Sequence, residues 1–596
     1  MIVASPAPTS VGAPVAGWLS RVVSDADPDD VLKLLRENKY PLLSLDPASL
    51  PRELVDSTSF KQALEADREW MDTQRAEYEE VQRAWADRGI PAMFIKTACI
   101  PPAFPYTSDN LDVMVPEERG EEAKRVLREK GFLELRNIEE PKKYLFRKFK
   151  HGRSVCAVHI HNWVGWNINF FEEDSLWRRS RVAPTDDMVT APSPEDALLI
   201  NLAHAFYENK RFTLHDLEKI RVNWNEHTLD WDYLRQASQR RGWYDGFLFS
   251  VLIAVHLEEA LTGETRIPAR LREEWERDLR QYKHAYRYLE ELLRRPPEMP
   301  FKVSFMFSKN LYYRKIWHDK LDSLKAKTRD TLATLTWGFK LKTGIRPQPS
   351  VLVTLSGLDG SGKSEQSRRL MELLELVEVK RSHYWNRIGD SIWTRFTSSI
   401  VRLASPKTFD STAAGARRRV DLTRRSRLVR GLWAWQVAVD LALRYAVRLW
   451  PPLILGKLGL GRVVVSDRYL IDAETEILCR TGSSDPVVRL AIRFLRLVSP
   501  RPSLQYVLDV PEDVALSRRT LQTDDGTTQK HRDCYLQLAG DRGIRVLDGT
   551  RVPGEIADEI TTEVLEYFEA RYSTVLNGLL WSNPGQRNPK KRSGIA

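Results

Sequence analysis

The sequence predicts two domains, an α/β domain in the C-terminal half and an α+β domain with a helical extension in the N-terminal half. Three observations lead to this prediction. At 596 residues the chain is too long for one ordinary hydrophobic core. An apolar, β-rich run at 351–357 leads directly into a glycine-rich loop and a helix-like segment at 365–374. Strand-like and helical patterns alternate between 92 and 294, and a Gly/Pro-containing segment at 343–349 separates the halves.

Composition and charge indicate a soluble, cytoplasmic globular protein. Hydrophobic residues make up 42% of the chain and charged residues 29%, and no stretch of about 18 residues is free of charge, so we expect no membrane span. The four cysteines show no Cys-x-x-Cys spacing and are too sparse for a disulfide scaffold, which favours a reducing compartment. A formal net charge of +10 favours anionic ligands without requiring a nucleic acid.

Helical and strand-like periodicity predicts the order of elements and the domain limits. We expect helices over 62–87, 116–130, 195–222, 231–262 and 268–294, and strands over 92–95, 111–115 and 155–160. The predicted divisions are an N-terminal extension (1–65), the α+β domain with its helical subdomain (66–295), a basic linker (296–349), the α/β domain (350–575) and a basic tail (576–596).

The glycine-rich loop has the pattern Gly-x-x-x-x-Gly-Lys-Ser at 357–364. Glycines permit the backbone angles that turn successive N–H groups toward one point, where they can bind phosphate oxygens. The lysine would add a charge near the β and γ phosphates, and the serine hydroxyl would hold Mg²⁺. The alternative is an incidental glycine-rich turn, but the flanking strand and helix favour phosphate binding. The predicted nucleotide-binding residues are Gly357, Asp359, Gly360, Ser361, Gly362, Lys363 and Ser364.

A second strand, at 462–469, ends in an acid and a base, Asp467 and Arg468. Ligands bind at this edge of a parallel sheet. Asp467 could hold Mg²⁺ or its water, and Arg468 could clamp a phosphate in bidentate fashion. The alternative is a salt-bridged strand end.

A third strand, at 503–510, precedes a helix that ends in Arg518 and Arg519. The polar and basic segment at 520–532 is typical of a mobile flap over phosphates. The alternative for the two arginines is a solvated helix end.

These motifs, in this order, resemble the thymidylate kinase family: Gly-Leu-Asp-Gly-Ser-Gly-Lys-Ser-x-Gln, then Asp-Arg-Tyr, then Leu-Asp-Val-Pro-x-x-Val-Ala-Leu-x-Arg-Arg. The resemblance covers about 350–570. It implies a P-loop kinase fold, with a parallel sheet and helices on both faces, and Mg²⁺-dependent transfer of the ATP γ-phosphoryl group to a nucleoside monophosphate. It implies ATP and Mg²⁺ binding by Lys363 and Ser364, an acceptor side formed by Asp467 and Arg468, and a lid containing Arg518 and Arg519.

One segment departs from this family. Where the family has an Arg-Glu-Pro segment that shapes the acceptor site, this chain has Val-Lys-Arg-Ser-His-Tyr-Trp-Asn-Arg at 379–387. Thymidine monophosphate is therefore only a first guess for the acceptor, and the sequence leaves the acceptor and the oligomeric state undefined.

Residues from about 90 to 265 resemble a family of uncharacterised bacterial nucleotidyltransferase-like proteins. The resemblance rests on Phe-Ile-Lys at 94–96, Ser-Asp-Asn-Leu-Asp-Val-Met-Val at 108–115, Val-His-Ile-His at 158–161, Ser-Pro-Glu-Asp at 193–196, His204, and Leu-His-Asp at 214–216. Such enzymes hold Mg²⁺ with an Asp-x-Asp pair and a third acid on a neighbouring strand.

In this chain the three acid positions carry Asn110, Asp112 and His159. Asp112 is the remaining candidate metal ligand, because a shift of one residue points Asp109 to the opposite face of the strand. The loss of two carboxylates should weaken Mg²⁺ binding, which favours a degenerate, non-catalytic domain over an active transferase. His159 and His161 share a strand face and could bind a transition metal, but without a visible third ligand a packing or hydrogen-bonding role is favoured.

The sequence thus favours an ATP- and Mg²⁺-dependent kinase of the nucleoside monophosphate type, fused to a nucleotidyltransferase-like domain that binds or selects the substrate. The expected partner is a nucleotide or another phosphorylated small molecule. Two alternatives stay open: a kinase that processes nucleic-acid ends, and a non-catalytic, ATP-binding regulatory protein.

Overall fold

The computed structural model describes residue 19 and residues 27–45, 47–96, 110–136, 142–150, 153–183, 186–343, 348–377, 379–386, 427–457, 460–481, 485–518 and 527–578. The chain forms two compact units. The N-terminal unit comprises residues 1–148 and 154–343, and the C-terminal unit comprises 149–153 and 344–596. Among the described residues, every helix is too short or too polar to cross a membrane.

The N-terminal unit combines many helices with a mixed sheet. Its helices are α1 (Pro28–Glu37), α2 (Arg52–Asp56), α3 (Thr58–Asp87), α4 (Gly120–Glu129), α5 (Glu173–Arg179), α6 (Pro194–Ala203), α7 (Leu214–Glu226), α8 (Trp231–Arg240), α9 (Tyr244–Thr262), α10 (Ala269–Arg280), α11 (Lys283–Leu293), α12 (Phe305–His318) and α13 (Leu324–Thr343). Its strands are β1 (Met93–Phe94), β2 (Leu111–Met114), β3 (Leu133–Arg136), β4 (Lys143–Lys150), β5 (Arg153–His161), β6 (Arg181–Ala183), β7 (Asp186–Ala191), β8 (Arg211–Phe212) and β9 (Phe301–Lys302).

Seven of these strands form one sheet in the order β3-β4-β5-β2-β1-β7-β6. β2 runs parallel to β5, and β1 runs antiparallel to β2 and parallel to β7. The sequence patterns predicted β1, β2 and β5. They did not predict β3, β4, β6 and β7, which lie nearer the two edges of the sheet. β3 and β6 have only four and three residues, too few for a clear alternating pattern.

Three segments predicted as long helices are each divided. The first is interrupted by a π-helical turn at His204–Asn209, which ends at Lys210 with φ of 53°. The second breaks at Gly242, with φ of 73°, between α8 and α9. A left-handed residue cannot continue a right-handed helix, so the chain turns at both places. The third segment divides between α10 and α11, and this allows both helices to pack on α9.

The segment predicted as a basic linker contains two helices, α12 and α13. Helix α12 begins at Phe305 after the capping residue Ser304, whose hydroxyl accepts the N–H of Phe307. Leu311 and Tyr312 lie in the hydrophobic core of the N-terminal unit. Burial of these apolar side chains makes α12 part of the folded unit.

The C-terminal unit is a five-stranded sheet flanked by helices. Its strands are β10 (Val351–Gly357), β11 (Arg381–Trp385), β12 (Val463–Asp467), β13 (Leu504–Asp509) and β14 (Arg545–Asp548). Its helices are α14 (Lys363–Leu376), α15 (Arg427–Arg448), α16 (Trp450–Lys457), α17 (Leu470–Thr481), α18 (Pro486–Val498), α19 (Glu512–Ser517), α20 (Thr528–Arg542) and α21 (Pro553–Gly578).

All five strands are parallel, in the order β11-β12-β10-β13-β14. The central strands β10 and β12 are buried along their whole length, which explains why their sequences are continuous apolar runs. The carboxyl ends of β10 and β12 therefore lie side by side. This edge carries the predicted phosphate-binding loop and the predicted Asp467.

Candidate functional site

The loop after β10 depends on glycine for its conformation. Gly357, Gly360 and Gly362 have φ of 139°, 91° and 94°, values that other residues rarely adopt. A Cβ atom on Gly360 would lie 2.4 Å from the backbone oxygen of Ala515. The loop can therefore keep this close approach to α19 only with glycine at position 360.

Lys363, the first residue of α14, is buried and folds back onto the loop. Its Nζ donates to the carbonyl oxygens of Gly357 and Leu358, at 2.9 and 2.6 Å. Burial, reinforced by the charge of Arg468, lowers the pKa of the Lys363 ammonium, and neighbouring carboxylates partly offset this effect. The amine is thus held inside the loop, in a setting where a phosphate would attract it more strongly than in water.

Ser364 and Asp467 meet at the carboxyl edge of the sheet. The pairing of β10 with β12 places Leu355 opposite Asp467, and the Ser364 hydroxyl donates to Asp467 Oδ2 at 2.6 Å. Asp467 is only 2% exposed, and its Oδ1 atom has no hydrogen-bond partner among the described residues. A buried carboxylate oxygen without a donor suits a hard cation, so this pair fits the Mg²⁺ implied by the sequence motif.

Arg468 follows in a left-handed conformation, with φ of 68°. This conformation is strained for arginine and is typical of residues held in place for function. Its N–H donates to the carbonyl of Leu355 at 2.9 Å, and its guanidinium pairs with Asp359 of the glycine-rich loop. Arg468 therefore connects the two predicted motifs instead of pointing into solvent.

A buried carboxylate that the sequence patterns did not single out, Asp472, supports this edge. It accepts hydrogen bonds from the Ser356 hydroxyl at 2.5 Å, the Tyr469 N–H at 2.8 Å and the Tyr535 hydroxyl at 2.9 Å. The bond to Tyr469 is half of a capping box at the start of α17. The spacing of three residues from Tyr469 to Asp472 is the signal that could have identified it.

The predicted lid is only partly described. Arg518 directly follows α19 and donates to the carbonyl of Gly549 at 3.0 Å, while Arg519 lies outside the described residues. Residues 528–532, predicted as the end of a flap, form the first turns of α20 instead. Arg532 there makes a bidentate pair with Asp509 at the end of β13, with both distances 2.7 Å. This pair was also not predicted.

The segment that departs from the kinase pattern forms β11, at the edge of the sheet beside β12. Asn386, just after it, is buried: its N–H donates to the carbonyl of Asp467 at 3.1 Å and its side chain to the Ser466 hydroxyl at 2.9 Å. Asn386 thus supports the Asp467 strand end.

A second group of polar side chains lies in the N-terminal sheet. The parallel pairing of β2 with β5 places Asp112 opposite His159 and Met114 opposite His161. Side chains two residues apart share a face, so both histidines lie beside Asp112. His161 Nε2 and His159 Nδ1 lie 2.7 and 3.3 Å from Asp112 Oδ1. Asn110 Nδ2 lies 3.4 Å from His159 Nδ1, whereas Asp109 is outside the described residues.

Charged residues surround this group. Lys96 Nζ lies 3.0 Å from Asp112 Oδ1 and 3.7 Å from Glu208 Oε2. Glu208 lies 3.0 Å from His204 Nε2, and Asp216, further along, lies 3.1 Å from a lysine, Lys219. Because His204 Nδ1 also lies 3.8 Å from Asp216 Oδ1, residues from several of the sequence motifs belong to one network of ion pairs.

Burial acts in opposite directions on the pKa values of Asp112 and His161, the two central groups of this network. Burial would raise the pKa of Asp112, but Lys96 and hydrogen bonds from the two histidines hold the pKa well below its usual value. Burial, together with His159, lowers the pKa of His161 despite the neighbouring Asp112. Asp112 is thus a carboxylate and His161 a neutral imidazole near neutral pH.

Similarity to known proteins agrees with both motif resemblances. A stretch of 108 residues is 28% identical to a probable thymidylate kinase of Pyrobaculum aerophilum. This stretch covers 17% of this chain and 53% of that protein. The chain thus spans about half the length of this relative. Residues 24–258 match the family described as uncharacterised nucleotidyltransferase. The two matches together confirm both resemblances.

Proposed function

We propose that the C-terminal unit transfers the γ-phosphoryl group of ATP to a nucleoside monophosphate or a related phosphorylated acceptor. The observation that carries this proposal is the contact between Ser364 and Asp467, with the second Asp467 oxygen left without a partner among the described residues. This pair, beside a glycine-rich loop and a buried lysine, has the groups that a nucleoside triphosphate and Mg²⁺ require.

Each residue has a role in this proposal. Backbone N–H groups of the loop and Lys363 bind the donor phosphates, and Ser364 and Asp467 hold Mg²⁺. When bound, Mg²⁺ neutralises charge on the transferring phosphoryl group. Arg468, released from Asp359 by a ligand, would bind a phosphate of the acceptor or donor through its planar guanidinium.

The chemistry needs little else from the protein. A phosphate acceptor is already an anion, so no strong general base is required, and positioning and charge neutralisation supply most of the catalysis. This agrees with the two cationic groups of the site, Lys363 and Arg468, which can neutralise phosphate charge.

A test with purified full-length protein separates this proposal from its alternatives. With ATP and Mg²⁺, a panel of nucleoside monophosphates should give diphosphates, and Asp467→Asn should abolish turnover because it removes the charge and keeps the shape. Asp541→Asn, at an exposed position of α20, is the matched control and should leave turnover unchanged.

Three other results would contradict the proposal. Phosphorylation of a 5′-hydroxyl oligonucleotide, with strongly salt-dependent binding, would indicate a kinase that acts on nucleic-acid ends. ATP binding without turnover on any acceptor would indicate a regulatory protein. Equal turnover by Asp467→Asn and wild type would remove the assigned role of Asp467.

A further inference from the structure

The group formed by Asp112, His159 and His161 has the geometry of a metal site. Each side chain offers one ligand atom, and the three atoms lie within 4.8 Å of one another. The family resemblance placed Asp112 and His159 at metal-ligand positions, although they lie 47 residues apart, and the shared strand face added His161. The parallel pairing of β2 with β5 brings the three side chains together.

These residues do not fit Mg²⁺. Mg²⁺ takes oxygen ligands in octahedral geometry and dehydrates reluctantly, whereas this group offers one carboxylate and two imidazoles. Asn110, at the position of the first acid, brings a neutral amide whose nitrogen lies 3.4 Å from His159 Nδ1. Imidazole nitrogen suits Zn²⁺ and other first-row transition metals.

We propose that Asp112, His159 and His161 bind a first-row transition-metal dication of the Zn²⁺ type through one carboxylate oxygen and two imidazole nitrogens. Two ligands on one tetrahedral Zn²⁺ lie about 3.3 Å apart, as follows from metal–ligand distances of about 2.0–2.1 Å. The distance from Asp112 Oδ1 to His159, 3.3 Å, already has this value, and the distance to His161, 2.7 Å, would lengthen by about 0.6 Å when the ion binds.

Access and charge are consistent with this assignment. His161 is 2% exposed, but His159 is 21% exposed, so an ion could enter past His159 and take a further ligand from solvent. Lys96 competes with the ion for Asp112 Oδ1. Glu208, 3.7 Å from the Lys96 ammonium, can hold that ammonium when Asp112 binds the ion.

The test uses the full-length chain without an affinity tag, stripped of metal with a chelator. Titration with Co²⁺, a spectroscopic substitute for Zn²⁺, should give a visible ligand-field spectrum at one equivalent, and Zn²⁺ should displace it. His159→Ala should abolish this spectrum, and so should His161→Ala. His318→Gln, at an exposed histidine, is the control and should bind as wild type does.

Two further variants should change the metal affinity in opposite directions for stated reasons. Lys96→Met should tighten Co²⁺ binding, because it removes the competing cation from Asp112. His159→Asp should weaken Co²⁺ binding and strengthen Mn²⁺ binding, because it replaces a nitrogen ligand with a carboxylate. His161 is buried, so circular dichroism must show that its variant is folded. His159 is partly exposed, so its variant gives an independent result.

Cys479 and Cys534, two free thiols that share a hydrogen bond, are another source of a Co²⁺ signal. The double variant Cys479→Ser/Cys534→Ser should keep the ligand-field spectrum, and loss of it there would overturn the proposal. Equal Co²⁺ affinity in wild type and His159→Ala, or no binding at one equivalent in wild type, would also overturn it. None of these results depends on kinase activity, so the two proposals stand or fall separately.

Discussion

Replacement of Gly360 by alanine should displace the glycine-rich loop. The residue has φ of 91°, and an added Cβ would lie 2.4 Å from the backbone oxygen of Ala515. A positive φ costs alanine about 1–2 kcal/mol. Overpacking against backbone, which cannot rotate away, adds about 1–3 kcal/mol. We therefore expect Gly360→Ala to lower the free energy of unfolding by about 2–5 kcal/mol.

Two other glycines separate these contributions. Gly543 has φ of 61° with no heavy atom within 4 Å of the added Cβ, and Gly362 has φ of 94° with only Leu508 Cδ2 at 4.0 Å. Alanine at either position should lower the free energy of unfolding only by the cost of the positive φ, about 1–2 kcal/mol. Gly543 lies at the end of α20, away from the loop sequence, so its variant should also bind ATP as wild type does.

Urea unfolding of the full chain measures the stabilities, and hydrogen exchange identifies the C-terminal unit as the part affected. Isothermal titration with ATP and Mg²⁺ measures binding. We expect Gly360→Ala to weaken the affinity for ATP by at least about tenfold, which corresponds to about 1.4 kcal/mol. If Gly360→Ala were as stable as Gly543→Ala and bound ATP as tightly, the close approach to Ala515 would not determine the loop conformation.

Three further predictions concern Glu218, Glu474 and Ser364. Burial raises the pKa of Glu218 to about 7, although Arg221 lowers it in part. Between about pH 4.5 and 7 the folded state therefore holds a proton that the unfolded state lacks, and the free energy of unfolding falls as pH rises through this range. In thermal unfolding, the free energy of unfolding of Glu218→Gln relative to that of wild type should therefore rise by up to about 3 kcal/mol from pH 5 to pH 8. Glu474 is fully buried and pairs with Arg496 and Arg542, so Glu474→Gln should lower the free energy of unfolding by about 1–3 kcal/mol. An unchanged midpoint in urea unfolding would refute the stabilising role of these two pairs. Ser364→Ala should raise the Mg²⁺ concentration needed for half-maximal ATP binding without abolishing folding, and an unchanged Mg²⁺ dependence would exclude the hydroxyl as a ligand.

The C-terminal site could be predicted from sequence because its main residues follow one another closely. The glycine-rich loop, Lys363 and Ser364 lie in eight consecutive positions, and local backbone requirements connect them directly to phosphate binding. Asp472 and the Arg532–Asp509 pair were not predicted, since a single carboxylate on a helix or at a strand end has many ordinary roles. Their importance comes from hydrogen bonds to residues that are distant in the chain.

The N-terminal site shows the limit of sequence patterns. The patterns identified Asp112 and His159 as residues at metal-ligand positions, and they identified His161 as a neighbour of His159. They favoured packing for the histidines because no third ligand was visible nearby. In the fold, the register of β2 against β5 brings Asp112 to 2.7 Å from His161, so the third ligand comes from another strand.

The sequence by itself determined the features that depend on neighbouring residues: the apolar central strands, the glycine-rich loop, the positions of Asp467 and Arg468 at a strand end, and the altered acids of the N-terminal motif. Only the tertiary structure decided which strands pair and in which register. Strand pairing joins residues far apart in the chain, and a shift of one residue would send every side chain to the other face. The register of β2 on β5 places Asp112 opposite His159, and the register of β10 on β12 places Asp467 opposite Leu355, at the edge where Ser364 contacts it.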